Sequence, residues 1–285
     1  MSRITDIQRS VEDYRTAELI TGALQDLGSA KMHDIRKRFE RNAEFFGGIR
    51  TVYGIVKAHA SAVANDAAAA GKAALAPAKA ARDIYIALTS NKRFYGTLNR
   101  DIVHAFVNTA RTIGATSDFL VVGQTGVQYL REMAVQQKIA RTQFADDTPN
   151  EEELRGMFAL IGGYQRVFLV YPKFVNPFRQ DIAMVDITQT PDVSADSEAQ
   201  VEYIFEPEIP RMLEFVESQV RRALFERVLL ETELARSARR TMKMREARDR
   251  ASDLRGSFER SLQRETATLA GIQLMETYIG YSFWR

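Results

Sequence analysis

Apolar residues recur near the start of the chain at steps of three and four. Ile4, Ile7, Val11 and Tyr14 set the rhythm, and Ile20, Leu24 and Leu27 resume it. No proline falls between Ile4 and His59. Such spacing places an apolar seam along one face of a helix, predicted over residues 1–60. Residues 58–81 change character, with 14 of 24 positions alanine, interrupted by Gly71 and Pro77. The stretch 61–81 therefore reads as a partly helical connector ending near Pro77.

The middle of the chain, 82–190, alternates short β-rich runs with amphipathic stretches. Asp83–Thr89, Phe119–Gly123, Arg166–Phe174 and Asp181–Thr188 read as strands. Asn99–Arg111, Thr125–Gln136 and Glu151–Ile161 read as helices between them. This alternation predicts a small Rossmann-like α/β domain with a mostly parallel sheet. Residues 186–208 hold seven acidic side chains and no basic one, together with Pro191 and Pro207. We read 191–207 as an exposed acidic connector.

From 208 to 285 the helical rhythm returns, through Leu213, Val216, Val220, Leu224 and Val228. Unbroken, this helix would be on the order of 110 Å long at 1.5 Å per residue, too long for a globular core. Both long helices leave the same domain, so the expectation is an antiparallel coiled coil of the two. The C-terminal helix is the longer, and its end should project beyond its partner. That end is apolar nearly all round: Leu269, Ile272, Leu274, Met275, Tyr278, Ile279, Tyr281, Phe283 and Trp284. Folding back or self-pairing could cover it, but a sleeve provided by another protein is the preferred reading.

Charge refines this picture. With 39 Lys+Arg against 37 Asp+Glu the net charge is +2, which argues against a bulk polyelectrolyte. Basic residues nonetheless cluster at Arg236, Arg239, Arg240, Lys243, Arg245, Arg248 and Arg250, accompanied by Glu246 and Asp249. Lys31, Arg36, Lys37, Arg38 and Arg41 lie on the facing helix. A basic collar of this kind suits an acidic partner or nucleic acid, and a solvated helix face with ordinary ion pairs is the alternative. No aromatic residue interleaves positions 236–250, which weakens the nucleic-acid reading.

Catalytic chemistry has no foothold. Cysteine is absent, and the three histidines, His33, His59 and His104, are scattered. Gly71-Lys72 lacks the spacing of a phosphate-binding loop, and no nucleophile elbow, zinc-protease or dinucleotide signature occurs. No apolar run reaches the length of a membrane span, and Met1-Ser2-Arg3-Ile4 opens no signal peptide. The expectation is a non-catalytic protein with no cofactor and no metal.

Four segments carry a family resemblance. Ile4-Thr5-Asp6-Ile7-Gln8-Arg9 with Leu19-Ile20-Thr21-Gly22-Ala23-Leu24 resembles the opening of the gamma subunit of F-type ATP synthases. Thr89 to Asn99, containing Gly96, Leu98 and Asn99, resembles that family's S-D-R-G-L-C-G-G-L-N turn. Tyr203-Ile204-Phe205-Glu206-Pro207 resembles its Y-I-Y-E-P, and Ala238, Arg240, Met244, Ala247, Asp249 and Ala251 follow its C-terminal helix. The chain departs from the pattern at Gly22 to Asp26, where the family has K-A-M-K-M, at Arg93 and Tyr95, and at Thr266-Ala267.

The resemblance implies a central-stalk rotor subunit, one copy per complex, inside a hexamer of alpha and beta subunits. It also implies contacts with the epsilon subunit and the membrane c ring, and no nucleotide bound by this chain. Its expected contacts are the basic collar on the hexamer and a bearing at the tip, Leu274, Met275, Tyr278, Ile279, Phe283 and Trp284. The expected location is peripheral, at the cytoplasmic face of a bacterial plasma membrane, favoured because the match begins within four residues of Met1, with the mitochondrial matrix side as the alternative in a eukaryote. A gamma-like subunit of a specialised ATPase machine is the runner-up, and a basic helical-hairpin nucleic-acid binder the third reading.

Overall fold

A computed structural model describes residues 2–69, 82–135, 138–188 and 208–284. Helix α1 (Ser2–Ala69) precedes β1 (Ile84–Leu88), α2 (Leu98–Ile113), β2 (Asp118–Val122), α3 (Gln124–Glu132), β3 (Ala140–Thr142), α4 (Glu151–Ile161), β4 (Val167–Asn176) and β5 (Arg179–Asp186). Helix α5 (Ile209–Phe283) ends the fold. The backbone of 61–69 continues α1 as helix, within the stretch read as a partly helical connector; alanine has the strongest helix propensity of all residues. The remainder of that connector and the acidic stretch 191–207, with the Tyr203–Pro207 motif, lie outside the described residues.

The chain forms two compact units. One comprises residues up to Ala30 with those from Arg240 onward, and the other runs from Lys31 to Arg239.

In the second unit the five strands lie in the order β3-β2-β1-β4-β5. β1 pairs in parallel with both β2 and β4, β2 with β3 likewise, and β5 closes the sheet as an antiparallel hairpin with β4. The central strands are buried on both faces, which explains why Ile84–Leu88 reads as a continuous apolar run without polar alternation. Side chains alternate across the sheet with the period of two that a strand imposes. Ile84, Ile86, Leu88, Leu120, Val122, Val167 and Leu169 meet Met157 and Ile161 of α4 and Phe225 and Val228 of α5. On the other face Tyr85, Ala87, Phe119, Val121 and Val170 meet α2 and α3 through Leu98, Ile102, Phe106 and Leu130.

The C-terminal helix is therefore part of the domain's own core. Without it, one face of the sheet would be covered by α4 alone. Helix α1 packs on α5 in turn: Ile35 lies with Leu230 and Leu234, and Tyr53 with Val216 and Val220. Strand β3 escaped the sequence reading because three residues, Ala-Arg-Thr, show no period. Helix α3 stops at Glu132, short of the expected Gln136, and Ala134 turns the chain with φ 47°. Helix α4 starts at a capping box: Glu153 N–H donates to Asn150 Oδ1 at 2.8 Å, and Asn150 N–H donates to Glu153 Oε2 at 2.8 Å.

In the first unit α1 and α5 run antiparallel. Arg3 pairs with Glu265 at 3.2 Å, the Tyr14 and Phe258 rings stack at 5.4 Å, and Glu18 pairs with Arg255 at 3.2 Å.

Candidate interaction surfaces

The coiled-coil seam keeps the expected spacing but not all of the expected residues. Ile4, Ile7, Val11 and Tyr14 are half-buried, Tyr14 against Phe258 of α5. The same step of three and four then passes through Glu18, Thr21, Gln25 and Gly28, all at least half-buried. Ile20 and Leu27 instead stand outward, 56% and 66% exposed, beside Leu19, while Leu24 lies at the flank. Assigning Ile20 and Leu27 to the seam is thus incorrect. The interval from Tyr14 to Ile20 is six residues, one short of the heptad, and that slip carries the apolar residues off the contact line. Small residues occupy the seam here. A Cβ on Gly28 would collide with Thr241 Oγ1, and one on Gly22 would touch the Arg248 guanidinium at 3.6 Å.

The basic run divides by burial. Arg245 and Arg248 are exposed, Arg239, Arg240 and Lys243 are half-buried, and Lys243 pairs with Glu246 at 2.7 Å. Arg236 does not belong to a collar: it is 6% exposed and turned into the α/β domain. One guanidinium nitrogen donates to the carbonyl of Leu88 at 3.1 Å, the other to that of Asp147 at 3.2 Å. Burial pushes its guanidinium below the ordinary arginine value, opposed by the nearby Asp147, Tyr95 and Glu233. Helix sequence alone does not disclose depth, and a charge run reads the same whether its members face water or a sheet.

Residues 89–99 form a knotted turn at the carboxyl end of β1. Asn91 N–H and Lys92 N–H both donate to Asp147 Oδ1, at 2.6 and 3.2 Å, and Tyr95 Oη donates to Asp147 Oδ2 at 2.6 Å. The Asn91 side chain donates to the Phe144 carbonyl at 2.6 Å and accepts from Gln124 N–H at 2.9 Å. Gly96 has φ 58°, the left-handed region that glycine tolerates best. Phe94 adopts φ 72° without that freedom, and its ring points outward. Leu98 is core, and Asn99 sits inside α2 rather than capping it. Its Oδ1 accepts from Ser90 N–H at 3.2 Å and its amide donates to Ser90 Oγ at 2.7 Å. An asparagine three residues after a glycine resembles a cap in sequence, but Thr97 occupies the cap position.

The C-terminal end of α5 carries the largest apolar exposure. Arg3 at the start of α1 reaches Glu265, and every residue from Ala270 to Trp284 is exposed. Leu274, Met275, Tyr278, Ile279 and Phe283 are exposed on this helical end together with Ile272 and Tyr281, with Trp284 94% exposed just beyond it. Among the described residues no cluster of His, Cys, Asp and Glu could hold a metal, and no helix is long and apolar enough to cross a membrane.

Comparison with known proteins matches this arrangement throughout. The family model described as ATP synthase covers residues 3–266. An ATP synthase gamma chain of Psychrobacter sp. is 23% identical, with 89% of each chain covered. One of Xanthomonas oryzae pv. oryzae is 22% identical over 89% of this chain and 90% of that one. In solved structures, a chain of the central stalk and c ring of the Tetrahymena thermophila mitochondrial ATP synthase superposes with a TM-score of 0.56. It is 18% identical, with 80% of this chain and 99% of that chain covered, and the likeness establishes the fold. Two long helices in antiparallel register, a mostly parallel α/β domain built on one of them and a match from residue 3 to residue 266 agree: the chain belongs to the ATP synthase family, among its gamma chains.

Proposed function

We propose that this chain turns inside a ring of alpha and beta subunits at the cytoplasmic face of a bacterial membrane, one copy per complex. The bare apolar end of α5 carries this reading. About 25 cal/mol per Å² of apolar surface favours burying it, and the ion pair of Arg3 near the start of α1 meets α5 at Glu265, short of this exposed end. A collar of the ring around Leu274, Met275, Tyr278, Ile279, Phe283 and Trp284 would supply that burial while leaving the helix free to rotate. The exposed Arg245 and Arg248, with Arg240 and Lys243 beside them, face acidic loops of the ring. The epsilon subunit and the c ring engage the α/β domain. Nucleotide chemistry belongs to the ring, and this chain contributes the asymmetric surface that sets each site's affinity in turn.

Native purification of the tagged chain tests this. Two related nucleotide-binding subunits should appear in about threefold excess over the chain, the ratio a closed hexamer around a single shaft requires. Removing residues 269–285 should leave the α/β domain folded and abolish ion-coupled ATP synthesis. A chain that purifies alone would sink the assignment.

A further inference from the structure

Arg236 is a buried arginine that meets no carboxylate in a direct ion pair among the described residues. Its neighbour Glu233 spends its two oxygens on Lys31 and Arg38, at 2.9 and 3.5 Å. The guanidinium instead holds two neutral carbonyls that belong to different elements, Leu88 at the end of β1 and Asp147 in the segment before α4. Its Nε is buried with no hydrogen-bond partner. As a stabilising device this is a poor arrangement, since desolvating a charge is expensive and an apolar side chain of equal size often serves a core as well or better.

Its two acceptors are better understood by what hangs on them. Asp147, whose carbonyl Arg236 holds, gathers the N–H groups of Asn91 and Lys92 and the phenol of Tyr95 through its carboxylate. Leu88, the other acceptor, is the residue from which that turn departs. Both anchors of residues 91–96 are thereby fixed to a single side chain of α5. The turn carries the exposed Phe94 in a backbone conformation that costs an L-residue energy, and a strained conformation persists only when its surroundings over-determine it.

We propose that Arg236 is a positioning residue that registers the turn 91–96 against helix α5, so that the turn moves with the helix as one body when the helix is driven round. The directional bonds of a planar guanidinium set that register; the apolar contacts of Phe225 and Val228 with the sheet supply adhesion without fixing direction. The mechanical consequence rests on the rotor reading, whereas the local one does not.

The test uses Arg236→Met, which keeps volume and removes the donors, and Arg236→Lys, which keeps the charge. In the full chain, hydrogen exchange at the amides of Asn91 and Lys92 should quicken by about tenfold or more in Arg236→Met, as expected for losing bonds from a charged donor. Exchange in β1 and β2 should hold, the melting temperature should hold or rise, and Arg236→Lys should recover part of the protection. In the assembled complex Arg236→Met should pump fewer ions per ATP hydrolysed while hydrolysis continues. Unchanged exchange at Asn91 and Lys92 would overturn the proposal. So would a fall in protection across the whole sheet, which would make Arg236 a fold-holding residue, or an undiminished pumping ratio. If the unaltered chain recruits no nucleotide-binding ring, the rotor reading fails on its own and the exchange data still decide the registration.

Discussion

The two stretches of coiled coil share one period and differ in what fills it. Between Ile35 and Val56 the seam is apolar at every step but Asn42: Ile35 and Tyr53 are fully buried against α5, which is itself held by the sheet, and Val56 is buried as well. Between Glu18 and Gly28 the seam holds a carboxylate, a glutamine and glycines, set against Arg255, Arg248 and Thr241. Apolar residues of that second stretch, Leu19, Ile20 and Leu27, face outward. A periodic contact line thus need not be a hydrophobic one. Where a helix pair is backed by a domain, burial supplies the adhesion. Where it stands as a bare pair, this chain puts small and charged residues inside and leaves its apolar surface for something else.

Truncating the apolar seam should produce the largest effect. Ile35→Ala removes a fully buried side chain and is expected to cost about 2–5 kcal/mol of unfolding free energy, read from chemical denaturation of the chain. Gly28→Ala comes next. The added methyl collides with Thr241, and overpacking of this kind costs about 1–3 kcal/mol, offset in part by the better helix propensity of alanine. Thr241→Ala in the same chain should recover some of the loss; a Gly28→Ala chain as stable as the original would mean the helices part easily there. The smallest effect belongs to Glu18→Gln. Its partner Arg255 is half-exposed, so the change should stay within about 1 kcal/mol and shrink as salt is added. A loss as large as that of Ile35→Ala would erase the distinction between the two seams.

The strands were legible because burial on both faces writes them as unbroken apolar runs, and Ile84–Leu88 and Asp118–Val122 lie within a residue or so of their expected places. The seam was legible as far as Tyr14 for the same reason. Beyond it the contact line passes through Glu18 and Gln25, and hydrophobicity cannot mark a line that polar residues occupy. Arg236 was misread for a related cause. Its neighbours in sequence are basic, but the sheet that buries it is assembled from strands some fifty residues and more away, so its depth is a property of tertiary structure alone. Asn99 shows the converse, a polar residue whose nine-residue link to Ser90 is short in sequence yet invisible until the turn between them closes.

Helix α5 supplies Phe225 and Val228 to a sheet whose strands are all complete by Asp186. During synthesis, then, the sheet emerges with one face covered by α4 alone, and α1, made first of all, has no stretch of α5 to pack on until Val216 and Val220 leave the ribosome. Folding of this chain is accordingly a late event that must wait for nearly the whole length to be translated. A nascent chain stalled before residue 225 should bind chaperones that protect exposed apolar surface, and one released at full length should let them go.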